Sequence, residues 1–127
     1  MTWTFEQSTG TLTAPDGNLA ATGYAGGNCG KNPDGKNNPA MQDVQCVGPL
    51  PQGVYTVGAP VEGTHLGPFA LPLTPDPSNQ MFGRGRFYMH GDTTPAGNAS
   101  EGCIIMPRAI REAVSASGDT ITVVSGE

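Results

Sequence analysis

Near the N-terminus, apolar and polar side chains alternate through T-W-T-F-E and again through T-L-T. A two-residue period sends successive side chains to opposite faces of a strand. With Gly10 and the Pro15-Asp16-Gly17 turn signal as breaks, residues 3–13 read as an N-terminal strand or hairpin. Residues 48–57, G-P-L-P-Q-G-V-Y-T-V, read as a turn followed by a strand that begins at Val54 and Tyr55. The apolar stretch Gly67 to Leu73 is interrupted by prolines and is expected at a sheet edge, where a missing N–H costs least. Arg86 to His90, R-F-Y-M-H, is a further strand that delivers His90 at its end. The spacing predicts one helix, after Pro107: P-R-A-I-R-E-A-V-S-A-S carries proline in its first turn and sets Ile110 and Val114 four apart on one face. Gly118 stops it, and T-I-T-V-V alternates as a closing strand.

Between these elements, Gly23 to Pro39 is rich in glycine and asparagine and is expected as a surface loop. Within it G-K-N-P-D-G-K-N approaches a phosphate-binding loop. It lacks the Ser or Thr after Lys36, and Pro39 spoils the helix that would hold a phosphate. The 127 residues hold 19 Gly and 12 Pro without collagen-like periodicity. Such punctuation breaks helices and favours short strands joined by tight turns. The expectation is a single mainly β domain over 1–127, with one short helix, no internal repeat and no linker.

Charge narrows the function classes. There are 11 acidic and 6 basic side chains for a net charge of -5. Without a basic cluster or stripe, a nucleic-acid surface or docking on anionic lipid is not expected. No apolar run approaches the ~20 residues of a membrane span. The first ten residues lack the charged and apolar regions of a signal peptide. The chain is therefore expected either to stay in the cytoplasm or to leave by a route other than general export.

Candidate chemistry lies in M-H-G-D-T-T-P-A-G-N-A-S-E-G-C-I-I-M-P, residues 89–107. A catalytic cysteine attacks as its thiolate and needs a base or cation nearby. His90, at a strand end, and Cys103, at the start of the next apolar run, can lie side by side if Gly91, Pro95, Gly97 and Gly102 let the intervening chain form a loop. The other histidine, His65, falls in a Gly/Pro-flanked loop. Amides near Gly102 and Cys103 could serve an oxyanion, worth ~3 kcal/mol per donor in hydrolases. Asp92 or a backbone carbonyl near Gly91 could orient the imidazole. Residue types alone leave the bland alternative open, a buried small thiol and a structural histidine. His65, His90, Asp92 and Cys103 lack zinc-ligand spacing, so no metal is expected. Cys29 and Cys46 either close a disulfide worth ~3 kcal/mol in the chain-entropy model, leaving Cys103 odd, or remain reduced with it.

The H-G-D and A-S-E-G-C-I-I-M blocks, with G-P-L-P-Q-G-V-Y upstream, resemble the YkuD-type L,D-transpeptidases, whose signature is a histidine, a loop and then S/T-H-G-C. The chain is still more similar to the small L,D-transpeptidase-like effectors of type VI secretion systems. W-T-F-E-Q-S-T-G-T-L at the start, G-Y-A-G-G at 23–27, N-N-P-A-M-Q at 37–42 and F-G-R-G-R-F-Y-M-H-G-D at 82–92 carry that likeness along most of the chain. The resemblance implies a β-sandwich or barrel of short strands with one helix after the catalytic cysteine. It implies Cys103 as nucleophile and His90 as base, supported by Gly91, Asp92, Ser100 and Gly102.

Arg84, Arg86, Arg108 and Arg111 are candidates for a substrate carboxylate. Arg84 is favoured because it falls within the resembling motif, and Arg108 is retained with it. Tyr88 and Glu101 are further substrate-binding candidates, and Tyr24 and Tyr88 are candidates for the cleft wall, with core or rim as the alternative. Glu101 stands where the broader signature has histidine, and Ile104 and Ile105 where it has polar residues, which favours attack on one peptide stem over cross-linking of two. A carboxylate so near the thiol also disfavours the thiolate unless His90 or an arginine compensates. Asn98-Ala99-Ser100 matches a glycosylation sequon, without meaning in a bacterial protein.

The implied function is a secreted antibacterial enzyme, reaching the periplasm of a target cell without a signal peptide. It would cleave the bond between the diamino acid and terminal D-alanine of tetrapeptide stems, or exchange that D-alanine, through a thioester. Its implied partners are peptidoglycan stem peptides, an immunity protein and a secretion apparatus or adaptor, with no cofactor. The alternatives are a housekeeping L,D-transpeptidase and a non-catalytic peptidoglycan-binding module.

Overall fold

The structure, a computed structural model, describes residues 1–62, 66–92, 97 and 99–127. His65, Pro95 and Asn98 lie outside the described residues. In chain order the elements are β1 (Thr2–Glu6), β2 (Thr11–Thr13), β3 (Leu19–Thr22) and β4 (Tyr24–Ala25), then three short 3-10 turns (Asn28–Gly30, Pro33–Gly35 and Pro39–Met41). They continue with β5 (Gly53–Val57), β6 (Leu71–Pro75), β7 (Phe87–His90), β8 (Ile104–Ile105), the helix α1 (Arg108–Ser117) and β9 (Thr120–Val124).

Among the described residues the strands form one sheet in the order β3-β2-β1-β9-β5-β6-β7-β8-β4. Its two end strands, β3 and β4, are consecutive in the chain and separated by Gly23 alone, so the sheet must curl until its ends meet. The result is a nearly closed, barrel-like sheet. Gly23 makes the seam possible: its N–H donates to the Gly10 carbonyl at 2.8 Å, and a Cβ there would lie 1.8 Å from the Ile105 carbonyl oxygen. The expected mainly β architecture with one helix behind Cys103 is the one observed.

Alternation fills the barrel. Trp3 and Phe5 of β1, Leu12 of β2, Leu71 and Leu73 of β6, Phe87 and Met89 of β7, and Ile121 and Val123 of β9 are buried in one cluster. Each such side chain contributes roughly 1.5–3 kcal/mol on leaving water. Tyr55 meets the edge of Phe87 with ring centres 6.5 Å apart. Helix α1 buries Val114 against this core with Ile110 beside it, and its C-cap Gly118 takes the left-handed conformation at φ 69°. β1 and β9 pair in parallel, as do β7 and β8.

Two expectations are corrected. β6 is internal rather than at an edge, paired with β5 on one side and β7 on the other. Its prolines are tolerated because their missing donors fall at ladder ends. Pro72 meets Gly58 just past β5, accepting its N–H at 2.8 Å, and Pro75 extends beyond Phe87, the first residue of β7. The segment 23–39 is not wholly superficial either, since residues 24–27 are buried. This polar stretch can enter the interior because its N–H groups are satisfied. Ala25 donates to Asn37 Oδ1 at 3.1 Å, Gly26 to Ser100 Oγ at 2.8 Å and Gly27 to the Val47 carbonyl at 2.7 Å.

Candidate active site

The parallel pairing of β7 with β8 sets Met89 opposite Ile104 and His90 opposite Ile105, which puts Cys103 opposite Tyr88. Met89 and Ile104 enter the core, so the alternate positions Tyr88, His90 and Cys103 share the other face. That places Cys103 one strand across and two residues along from His90, about 8 Å between backbones from standard strand spacings. Tyr88, His90 and Cys103 all line one cavity of about 750 Å³. The Tyr88 N–H points at the Cys103 sulfur, 3.4 Å away.

His90 is buried, and its Nδ1 lies 2.9 Å from the Gly91 carbonyl. A carbonyl only accepts, so this contact places a proton on Nδ1; in the neutral ring Nε2 is then the acceptor. Of the two expected orienters, the backbone carbonyl is thus the described partner of Nδ1. The Asp92 carboxylate accepts from the Tyr24 hydroxyl at 2.5 Å and from the Gly97 N–H at 3.0 Å.

The loop before Cys103 is organised by Ser100, which is buried. Its Oγ donates to the Cys103 carbonyl at 2.6 Å and accepts from the N–H groups of Gly102 and Gly26 at 3.0 and 2.8 Å. The Gly102 amide is therefore engaged with Ser100 instead of facing an oxyanion, which leaves the Cys103 amide as the candidate donor. Gly102 sits at φ 132°, and a Cβ there would meet Arg84 Nη2 at 2.6 Å and Phe87 at 2.8 Å, so both conformation and space require glycine.

A family model, the Tlde1 domain, matches residues 23–123. The chain belongs to the Tlde1 domain family. That is a family of transpeptidase-like type VI secretion effectors. No curated protein and no solved structure matches the chain. The matched span runs from the seam glycine to the last core residue of β9 and includes every residue of the cavity wall.

In this Tlde1 domain the arginines are distributed differently from expectation. Arg84 is buried, and its guanidinium serves backbone carbonyls: Nη1 donates to Gln42 and Pro49 at 2.5 and 2.8 Å, Nη2 to Gly48 and Glu101 at 2.9 and 3.3 Å. With its fork so engaged and stacked 5.1 Å from the Phe87 ring, it ties the surrounding loops together. Arg108 points along the helix to Glu112 at 3.3 Å and over the Phe69 ring. It borders a smaller neighbouring hollow, which Gly91 and Asp92 also line. Arg111 is buried, donating to the Met106 carbonyl at 2.9 Å. The exposed arginine on the main cavity wall is Arg86, which lies two residues after Arg84 in the same motif. Arg86 stands just before β7 in the left-handed conformation at φ 62°, so the turn into β7, not strand alternation, puts it there.

Electrostatics around the thiol oppose one another. Burial pushes the Cys103 thiol up to about 11, and the Glu101 carboxylate adds to this, while the Tyr88 N–H and the Arg84 charge pull it down. The balance favours the protonated thiol near neutral pH. Tyr24, a candidate for the cleft wall, ties both halves of the site together. Its hydroxyl donates to Asp92 and accepts the Ala99 N–H at 2.9 Å, and Lys36 sits 4.3 Å over its ring. Cys29 and Cys46 are free thiols on the cavity rim. Among the described residues, no group of three His, Cys, Asp or Glu could hold a metal ion, and no helix is long and apolar enough to cross a membrane.

Proposed function

We propose that this Tlde1 domain is an antibacterial, YkuD-type peptidoglycan enzyme that works on tetrapeptide stems through Cys103 and His90. The observation that carries the proposal is that the parallel β7–β8 register sets this thiol and this imidazole on one wall of a cavity large enough for a short peptide. His90 Nε2 takes the thiol proton as Cys103 attacks the carbonyl of the diamino acid. The tetrahedral oxyanion forms against the Cys103 amide. Collapse expels terminal D-alanine, which receives the proton from the imidazolium, and leaves a thioester on Cys103. Water then gives the tripeptide, an L,D-carboxypeptidase outcome, while an incoming D-amino acid gives exchange.

Arg86, exposed on the wall, suits the terminal carboxylate of the leaving D-alanine. Glu101, at the cavity mouth, suits the free ammonium of the diamino acid. Either outcome removes the donors that a target cell's cross-linking enzymes require. The producing cell would need an immunity protein, and delivery would need the secretion apparatus or an adaptor.

The test is expression of the chain behind a periplasmic signal in a test bacterium, alongside Cys103→Ala and His90→Ala, with analysis of muropeptides. Wild type is expected to be toxic and to convert tetrapeptides to tripeptides or exchanged tetrapeptides, and both variants to be silent at equal abundance. Equal toxicity of the variants would sink the catalytic assignment.

A further inference from the structure

Cys29 and Cys46 sit on separate turns that the backbone already joins. The Gly27 N–H donates to the Val47 carbonyl at 2.7 Å, two residues from one cysteine and one from the other. Both thiols lie near one carboxylate: Cys29 Sγ is 3.7 Å from Glu101 Oε1, and the Cys46 thiol is pushed up by burial and by the same carboxylate. Neither belongs to the hydrophobic core, whereas Cys103 packs against it, so neither serves as a small buried hydrophobe. Both also hold the left-handed backbone, at φ 54° and 67°, a conformation in which a residue with a Cβ is strained. Two strained, unpacked cysteines meeting at the rim of the cavity call for a role of their own.

We propose that Cys29 and Cys46 are a redox pair that closes to a disulfide when the chain meets an oxidising compartment, and that this bond locks the rim of the active-site cavity. The electron acceptor is another disulfide, of a protein oxidoreductase or a small molecule. One thiolate of the pair attacks it, forming a mixed disulfide and releasing one thiol. The second cysteine, deprotonated, then displaces the other thiol. Two protein S–H groups become one S–S bond, and the incoming disulfide is reduced to two thiols.

The turns so joined are the ones that hold the nucleophile loop. The Cys29 N–H donates to the Ser100 carbonyl at 2.9 Å, and Arg84 links the Gln42, Gly48 and Pro49 carbonyls to that of Glu101. Oxidation also removes the Cys29 thiol donor from Glu101, freeing its carboxylate toward the cavity. In a reducing cytoplasm the rim rests on polar contacts alone, and in a periplasm it is covalently fixed. The bond itself does not depend on the peptidoglycan reading; its effect on turnover does.

The full chain is exported to a bacterial periplasm, purified without reductant, denatured and titrated for thiols, then digested with trypsin, which cuts between the two cysteines at Lys31 and Lys36. The expected result is one free thiol and a reductant-sensitive peptide pair joining Cys29 to Cys46. Reduction of the folded protein is expected to lower Tm by about 10 °C, a shift absent from the Cys29→Ser/Cys46→Ser variant. Reduced protein incubated with oxidised glutathione should regain the linked pair. Three free thiols, a bridge to Cys103, or a Tm that reduction leaves unchanged would overturn the proposal. A bridge found in a protein without muropeptide activity would support the redox pair and count against the catalytic assignment.

Discussion

The two sides of the cavity are held by different physics. One wall is β7 with β8, a short parallel ladder in which Met89 and Ile104 are anchored in the core and the alternate positions carry the proposed nucleophile and base. The opposite rim, residues 26–49 with Glu101, has little regular pairing. It is held by Arg84 reaching four carbonyls, by Ser100 Oγ with its three partners, and by the Tyr24 hydroxyl. A ladder anchored by apolar burial sets where a thiol and an imidazole stand relative to one another. Polar side chains bonded to carbonyls then shape what can approach them, and each such buried contact is costly to lose because its partner stays desolvated.

The largest expected effect breaks the ladder side without touching the rim. Cys103→Ala or His90→Ala should lower D-alanine release from a tetrapeptide muropeptide by at least ~10³-fold. The circular dichroism should be unchanged, because neither substitution interrupts the backbone pairing. A fall of less than tenfold would mean that the chemistry resides elsewhere.

Next in size is the rim. Arg84→Ala should cost about 3–5 kcal/mol in urea unfolding, because several buried carbonyls lose their donor at once. Arg84→Lys should recover only part, an ammonium being unable to span the same fork. If Arg84→Ala unfolds at the wild-type midpoint, the rim is not held as described.

The third prediction concerns the thiol itself, in a Cys29→Ser/Cys46→Ser background. With its thiol held up near 11 by burial and Glu101, against an ordinary value of 9, Cys103 is the protonated acid below that pH. Iodoacetamide should therefore react at pH 8 roughly a hundredfold more slowly than with an unperturbed thiol. The rate should rise about tenfold per pH unit until it approaches 11. A plateau below pH 8 would instead mean that His90 holds a thiolate ion pair, and the ladder side would then govern the electrostatics as well as the placement.

The smallest is Tyr24→Phe, which removes one oxygen shared by the Asp92 and Ala99 loops. It should cost about 1–2 kcal/mol in the unfolding midpoint and reduce turnover while changing KM little. An unchanged stability with unchanged turnover would show that the Asp92 and Ala99 segments are positioned without it.

Much of the ladder side was legible in the chain. R-F-Y-M-H alternates visibly, the apolar run after Cys103 is short and punctuated by Pro107, and the helix carries its proline, its i,i+4 apolar pair and its stop glycine where the observed helix begins and ends. The rim was not legible. Arg84 reads as a ligand for a substrate carboxylate until four carbonyls are brought to it from residues 42 to 101, and Tyr24 reads as a cleft-wall, core or rim residue until Asp92 and Ala99 are brought to its hydroxyl. Pro72 reads as an edge marker because only the sheet order reveals that β5 has already ended where its donor is missing.

Local periodicity and turn chemistry therefore determined the element types, the single helix and the candidacy of His90 and Cys103, since these depend on neighbours a few residues away. The sheet order, the seam at Gly23 and the parallel sense of β7 and β8 were decided only by the tertiary structure. Strand direction and register are set by which partners bury their apolar faces together, and alternation within one strand is the same whichever way its neighbour runs. That parallel register brings Cys103 opposite Tyr88, and so onto the face of His90.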